Sequence, residues 1–65
     1  MVKLNEFPLV SVIIPTRNSE DTLTVLLASI RRQTYRNLEV FVVDDGSTDR
    51  TVYVAKQFTP YVFKR

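Results

Sequence analysis

The chain has 65 residues, of which 45% are hydrophobic, and 9 basic against 7 acidic side chains give a formal net charge of +2. It contains no Cys and no His, which excludes a Ser-His-Asp triad, a cysteine nucleophile, a zinc finger and haem ligation by either residue. The small charge and the scattered basic residues give no indication of a nucleic-acid partner. A domain of this size buries only about 60% of the surface of its unfolded chain, so we expect marginal stability for an isolated monomer.

Residues 1–8 are predicted to form a leader that ends at Pro8. This segment contains an acidic residue and no long apolar stretch, so it does not have the pattern of a signal peptide. No apolar run in the sequence is long enough for a membrane segment. Together with the lack of cysteine, these features favour a cytoplasmic location.

Residues 9–14 form a short apolar run rich in β-branched side chains, typical of a strand that is covered on both faces in a parallel sheet. Pro15 is predicted to end this strand. Beyond the polar residues 16–19, apolar side chains recur with the i, i+3, i+4, i+7 spacing of one helix face. They are Leu23, Leu26, Leu27 and Ile30. Two arginines follow at 31–32, where the C-terminus of a helix favours cations.

A second apolar run, residues 38–43, predicts another strand with β-branched and aromatic side chains. It ends at residues 44–46, Asp-Asp-Gly, which have the chemistry of a tight turn. Ser47 or Thr48 is predicted to cap a second helix. The apolar face of that helix carries Val52, Ala55 and Phe58. Residues 61–63 then begin a third strand.

Strand, helix, strand, helix and strand follow one another over residues 9–65, which is the order of two successive βαβ units. Such crossovers are almost always right-handed and give parallel strands. The sequence therefore predicts an α/β fold, the βαβαβ half of a doubly wound, Rossmann-like parallel sheet, truncated as its third strand begins. The helix stripe from Leu23 to Ile30 and the side chains of Phe41, Phe58 and Phe63 are expected in its core.

Two polar segments, 15–18 and 44–47, follow the first and second strands and are expected to face one crevice, because open α/β sheets bind ligands beyond the carboxyl ends of their strands. Asp44 would place a carboxylate there, suited to accept a hydrogen bond from a base N–H or a ribose hydroxyl. Asp45 should point differently, since consecutive strand residues alternate, so the two are not expected to chelate one metal ion. A turn followed by a helix cap is the alternative interpretation of residues 44–48.

Arg17 has a planar guanidinium that can stack on a base or donate to a phosphate. An exposed loop residue without a ligand is the equally open alternative. Asn18 and Ser19 are expected mainly to cap the first helix. Because Gly46 is the only glycine, the glycine-rich dinucleotide loop and the Walker A loop are both excluded.

Three stretches, in this order, resemble the beginning of the family 2 glycosyltransferases of the GT-A fold. They are Val-Ser-Val-Ile-Ile-Pro-Thr-Arg-Asn at 10–18, Leu-Ala-Ser-Ile leading to Gln-Thr-Tyr over 27–35, and Glu-Val-Phe-Val-Val-Asp-Asp-Gly-Ser-Thr-Asp at 39–49 with Thr51. The resemblance implies that this N-terminal portion binds the nucleotide of a sugar-nucleotide donor, commonly a UDP-sugar.

The resemblance also implies a role for individual residues. Pro15, Thr16 and Arg17 would line the base pocket, Asp44 would accept a hydrogen bond from the base, and Asp45 would stabilise the loop. The position of Arg17 is usually Tyr or Phe in the family, so the preference for a base is left open by this sequence.

Other parts of the family's machinery have no counterpart in these 65 residues. These are the Asp-x-Asp motif for metal and diphosphate, the carboxylate base and the acceptor-binding region. Mg²⁺ or Mn²⁺ is expected for the full-length enzyme, and this fragment alone is expected to bind no metal and to transfer no sugar. A parent enzyme that serves envelope or polysaccharide synthesis would act at the cytoplasmic face of a membrane.

Three alternatives from other classes accompany this reading. A phosphoacceptor signalling domain also has a strand ending in Asp-Asp, but it needs a second aspartate at the end of a later strand with a downstream lysine near it, and its Asp-Asp strand is normally the first. A nicotinamide-binding domain would need glycines that residues 15–18 lack. A structural module that self-associates through exposed sheet edges is the third alternative.

Overall fold

A computed structural model describes residues 8–65. Apart from Pro8, the predicted leader lies outside the described residues. Strands and helices alternate in the predicted order. The elements are β1 (Val10–Thr16), α1 (Glu20–Arg32), β2 (Leu38–Asp44), α2 (Thr51–Phe58) and β3 (Val62–Lys64).

The three strands form one parallel sheet in the order β1-β2-β3. At its carboxyl edge, Thr16 of β1 is in register with Asp44 of β2, and Asp44 is in register with Lys64 of β3. This arrangement confirms the predicted α/β fold, the βαβαβ half of a Rossmann-like sheet. It also places the loops that follow β1 and β2 side by side.

The hydrophobic core lies between the sheet and the two helices. Its buried members are Ile14, Leu23, Leu27, Val40, Val42 and Ala55. Both helices contribute to this one core and pack against each other. Two right-handed crossovers that step across the sheet in the same direction place both helices on one face. The opposite face of the sheet, here called the outer face, has no helix over it among residues 8–65.

Strand β1 differs from its prediction in two respects. It continues through Pro15 to Thr16, because β1 is an edge strand in this sheet and an edge strand tolerates a residue that donates no hydrogen bond. It is also covered on one face only, since Ile14 is buried whereas Ile13 is 66% exposed. The near-continuous apolar run therefore does not reflect a strand covered on both faces within the described residues.

Two side chains that were assigned to the core are exposed. Leu26 lies at the margin of the α1 stripe and is 40% exposed, while Leu23 and Leu27 on the same helix are buried. Phe63 is 53% exposed because it lies on the outer face, where its ring stacks on that of Phe41 at 6.2 Å between centroids. Within residues 8–65 there is no helix of the length and apolar character that crossing a bilayer requires.

Candidate functional site

The candidate site lies at the carboxyl edge of the sheet, where the loop of residues 17–19 after β1 meets the loop of residues 45–50 after β2. We call these loop 1 and loop 2. A backbone hydrogen bond joins them at their base, since the Asp45 N–H donates to the Thr16 carbonyl oxygen at 2.9 Å. The predicted meeting of the two polar segments at one edge is therefore confirmed.

Asp44 is the central side chain of this edge. It is the last residue of β2 and is 1% exposed. Its Oδ1 accepts hydrogen bonds from the Thr16 hydroxyl at 2.8 Å and from the Ser47 hydroxyl, and its Oδ2 accepts the Ser47 N–H at 2.9 Å. Three donors thus compensate the burial of this carboxylate, as a buried charge requires.

The electrostatic environment of Asp44 favours the ionised form. Burial acts to raise the pKa of its carboxyl group, but the hydrogen bonds from Ser47 and Thr16 and the positive charge of Lys64 outweigh it and hold the pKa below its ordinary value of 3.8. Lys64 was not identified from the sequence. The feature that could have identified it is the parallel pairing of β2 and β3, which places the end of β3 beside the end of β2.

Asp45 differs from its neighbour in exposure. Alternation along the strand places Asp44 toward the helices, whereas the side chain of Asp45, the first residue after β2, is exposed. Pro15 and Arg17 are exposed on the β1 side of the same edge, and Thr16 between them is buried against Asp44. The structure thus separates the five predicted site residues into an internal pair and three exposed residues.

Loop 1 is also linked to loop 2 further from the sheet. The Asn18 N–H donates to Ser47 Oγ at 2.8 Å, and Asn18 Oδ1 accepts the Thr48 N–H at 2.8 Å. Asn18 has a positive φ of 47°, and Gly46 in loop 2 has a φ of 72°. Asparagine and glycine are the residues that adopt this left-handed conformation most readily.

The predicted helix caps are different in the structure. Helix α2 begins at Thr51, after Ser47 and Thr48, and the carboxylate of Asp49 accepts the Thr51 N–H at 2.9 Å. Ser47 does not cap this helix because its hydroxyl and N–H are both directed to Asp44.

Helix α1 also begins without the expected side-chain cap. Ser19 occupies its N-cap position, yet the hydroxyl donates to the Arg17 carbonyl oxygen at 2.8 Å, while the Ser19 N–H donates to Thr51 Oγ1 at 2.8 Å. Asn18 makes its contacts with loop 2. Of the two side chains expected to cap α1, that of Asn18 therefore joins the two loops, whereas that of Ser19 bonds within loop 1.

Metal binding by the two adjacent aspartates does not fit this geometry. Both Oδ atoms of Asp44 already accept internal hydrogen bonds, and the Asp45 carboxylate lies on the exposed side. Across residues 8–65, no group of three or more acidic side chains is arranged as a possible metal site.

Comparison with known proteins adds a family to this geometry. The family model described as "Glycosyl transferase family 2" matches residues 11–65. A PGL/p-HBAD biosynthesis glycosyltransferase of Mycobacterium bovis (strain BCG / Pasteur 1173P2) is 45% identical over 58 residues, which are 89% of this chain and 23% of that protein. No solved structure matches the chain significantly.

Two further relatives are glycosyltransferases by name. GlyA of Streptococcus pneumoniae is 46% identical over 50 residues, 77% of this chain and 7% of that protein. The UDP-Glc:alpha-D-GlcNAc-diphosphoundecaprenol beta-1,3-glucosyltransferase WfgD of Escherichia coli is 41% identical over 51 residues, 78% of this chain and 20% of that protein. The chain thus spans less than a quarter of the length of these relatives. The chain belongs to glycosyl transferase family 2 and corresponds to an N-terminal portion of the glycosyl transferase domain of that family.

Proposed function

We propose that loop 1 and loop 2 bind the nucleotide part of a sugar-nucleotide donor, in an enzyme that transfers the sugar to an acceptor hydroxyl. One observation carries this proposal. Arg17 and Asp45 are both exposed, and they lie on two neighbouring loops that are joined by hydrogen bonds. The carboxyl ends of parallel strands, where both loops lie, are the usual location of the ligand site in open α/β sheets. The name of the WfgD relative includes UDP-Glc, which supports a UDP-sugar as the donor.

The exposure of the side chains supports a division of roles within the site. Arg17 offers a cationic plane for stacking on the base or donors for the diphosphate. Pro15 presents an apolar surface beside it. Asp45 is open to a base N–H or a ribose hydroxyl, so its exposure favours it over Asp44 as the carboxylate that contacts the ligand directly.

Asp44 and Thr16 would then shape the pocket from within. Oδ1 of Asp44 already accepts two hydrogen bonds, so a further donor can bind only at Oδ2. This oxygen is buried beside loop 2 and accepts the Ser47 N–H. The base contact that the family resemblance assigns to Asp44 would therefore require loop 2 to move away from this buried oxygen. Both carboxylates remain part of the proposed nucleotide site, with Asp44 holding the loops and Asp45 facing the ligand.

Sugar transfer itself needs groups beyond this site. A base must deprotonate the acceptor hydroxyl, and a metal ion or cationic clamp must stabilise the departing diphosphate. We propose that Mg²⁺ or Mn²⁺ and the base belong to the remainder of the enzyme, and that the 65 residues alone transfer no sugar. A cytoplasmic location of the enzyme is part of the same proposal, since sugar nucleotides are its donors.

Self-association is a second property that a specific observation favours. On the outer face, Ile13 is 66% exposed and Phe63 is 53% exposed, and β1 has an unpaired edge among the described residues. Apolar surface and free strand edges promote pairing with a second copy. Sedimentation velocity over a range of concentrations tests this, and a monomer at every concentration would contradict it.

The nucleotide proposal is tested by isothermal titration of the chain with UDP, ADP and NAD. We expect saturable binding of UDP in preference to NAD, and a loss of affinity of about tenfold in Arg17→Ala, because a charge-assisted contact is worth about 1.5 kcal/mol or more. Arg36→Ala is the matched control, since Arg36 is an exposed arginine before β2, at the opposite end of the sheet. Equal affinities of the two variants, or a preference for NAD, would contradict the proposal.

A further inference from the structure

Asn18 is the residue through which loop 1 is fastened to loop 2 by both its backbone and its side chain. Its N–H donates to Ser47 Oγ at 2.8 Å, and its Oδ1 accepts the Thr48 N–H at 2.8 Å. Both bonds depend on the left-handed backbone conformation at Asn18, whose φ is 47°. A residue in this sparsely populated region persists only where its surroundings hold it there.

The hydrogen bonds of Asn18 continue to the centre of the site. The Ser47 hydroxyl, which accepts the Asn18 N–H, donates in turn to the Asp44 carboxylate. Asp44 also accepts the hydroxyl of Thr16 at 2.8 Å. The residues on either side of Arg17 are thus both connected to loop 2 through Ser47 and Asp44, which closes a ring of contacts around the Arg17 backbone.

Arg17 itself is exposed, and its guanidinium makes no hydrogen bond or ion pair with any residue from 8 to 65. The position of its backbone is therefore determined by the residues on either side of it and by the Ser19 hydroxyl, which donates to the Arg17 carbonyl oxygen at 2.8 Å. Thr16 lies in a strand and is fixed by the sheet. Asn18 lies in a loop, and its side-chain contact with Thr48 is an additional link to loop 2, outside the ring, that a substitution can remove while the backbone N–H is kept.

We infer that Asn18 is a positioning residue of the nucleotide site, which fixes the Arg17 backbone beside loop 2 before the ligand arrives. This inference rests on the proposed function. Binding to a loop that is already ordered avoids the entropy cost of ordering it on association. Asn18 therefore acts on affinity through Arg17 and has no contact of its own with the nucleotide.

The test is a double-mutant cycle between Asn18→Gly and Arg17→Ala, with UDP affinity as the readout. Glycine retains the backbone N–H and can adopt the left-handed conformation, while it removes the side-chain amide and its contacts with Thr48 and adds the same backbone freedom that the control variant below adds elsewhere. We expect Asn18→Gly to weaken UDP binding about fivefold in the original chain, a loss within the range for ordering a loop side chain. In the Arg17→Ala background it should change affinity by less than about twofold, because coupled residues are non-additive.

Thr34→Gly is the matched control, since Thr34 is an exposed loop residue between α1 and β2, at the other end of the sheet. It should leave UDP affinity unchanged. An equal loss from Asn18→Gly in both backgrounds would overturn the inference, because Asn18 would then act independently of Arg17. Unchanged affinity in Asn18→Gly would overturn it while leaving the proposed function intact.

A second measurement tests the link without any ligand. The ¹⁵N heteronuclear NOE of the Arg17 amide should fall in Asn18→Gly and stay unchanged in Thr34→Gly, because the loop loses a contact only in the first variant. An unchanged NOE at Arg17 in Asn18→Gly would contradict the positioning role. Absence of UDP binding by the original chain would instead overturn the proposed function, and the NOE would then decide the structural link alone.

Discussion

The carboxyl edge and the outer face of the same three-stranded sheet differ in their contacts within residues 8–65. The polar groups at the edge have hydrogen-bond partners, whereas apolar side chains on the outer face are exposed. At the edge, every buried polar side-chain atom among residues 8–65 has a hydrogen-bond partner, and Asp44 alone accepts three donors. On the outer face, Ile13 is 66% exposed, and within residues 8–65 the Phe41 ring stacks on the exposed rings of Tyr61 and Phe63. Parallel sheets are normally covered on both faces. Residues 8–65 therefore supply the contacts that define the site, but within this range the outer face of the sheet has no comparable cover.

The largest effect is expected from the helix-side core. Leu23 is 2% exposed between α1 and the sheet, so Leu23→Ala should lower the free energy of unfolding by about 3 kcal/mol through lost burial and a cavity. Ile13→Ala removes a side chain of similar size from the outer face and should change the free energy of unfolding by less than about 0.5 kcal/mol. Urea unfolding of the two variants at low protein concentration measures the difference. Equal losses would show that the outer face is covered in solution.

The next effect concerns the polar edge. Asp44→Asn replaces an acceptor oxygen by an amide that faces the hydroxyl and N–H donors of Thr16 and Ser47. We expect a loss of about 2 kcal/mol in the free energy of unfolding, because buried donors lose their partner. Asp45→Asn is the matched control on an exposed carboxylate and should have an effect within about 0.5 kcal/mol. A neutral Asp44→Asn would mean that the loops are held together by their backbone contacts alone.

Acid should act on the same edge. The pKa of Asp44 is lowered although burial opposes it, and the pKa of Asp49 is lowered mainly by its hydrogen bond from the Thr51 hydroxyl. A carboxyl group with a depressed pKa in the folded state contributes stability that is fully present above its unfolded value of 3.8 and is lost as the pH falls through the folded value.

Unfolding free energies should therefore be constant from about pH 7 to pH 5 as far as these two groups determine them, and should fall below about pH 4. The fall should be shallower in Asp44→Asn, which has one fewer group to protonate. Stability that rises on acidification, or the same slope in both proteins, would contradict the assigned environment of Asp44.

The smallest effect on stability is expected at the ligand-facing surface. Arg17 is exposed and its guanidinium is not bonded to any residue in 8–65, so Arg17→Ala should change the free energy of unfolding by less than about 0.5 kcal/mol. The same variant is expected to lose UDP affinity. Thermal unfolding with and without UDP separates the two, and a large loss of stability without ligand would show that Arg17 is structural.

Local patterns in the sequence were sufficient for the order of the elements. Apolar runs, the stripe on α1 and the Asp-Asp-Gly turn each act over a few residues, so they predicted three strands, two helices and the place of Asp44 at a strand end. The exposure of Phe63 was not predictable because it depends on which face of the sheet the helices cover, and that of Leu26 because it depends on how α1 is rotated against the sheet.

The hydrogen bonds between loop 1 and loop 2 could not be predicted from local sequence patterns either. Asn18 and Ser47 are separated by 29 residues and meet only through the parallel pairing of β1 and β2. Both residues have good capping propensity, and this local preference was outweighed by contacts between the loops. Pro15 was read as a strand end for a similar reason, since its tolerance depends on β1 being an edge strand.

Amide chemical shifts of the ¹⁵N-labelled chain, recorded during a titration with UDP, test most directly whether the nucleotide binds between loop 1 and loop 2. The account predicts dispersed resonances and saturable shifts confined to residues 16–18 and 44–48, with residues 34–37 at the opposite end of the sheet unaffected. Shifts centred on residues 34–37, or a folded chain whose resonances do not respond to UDP, would contradict it.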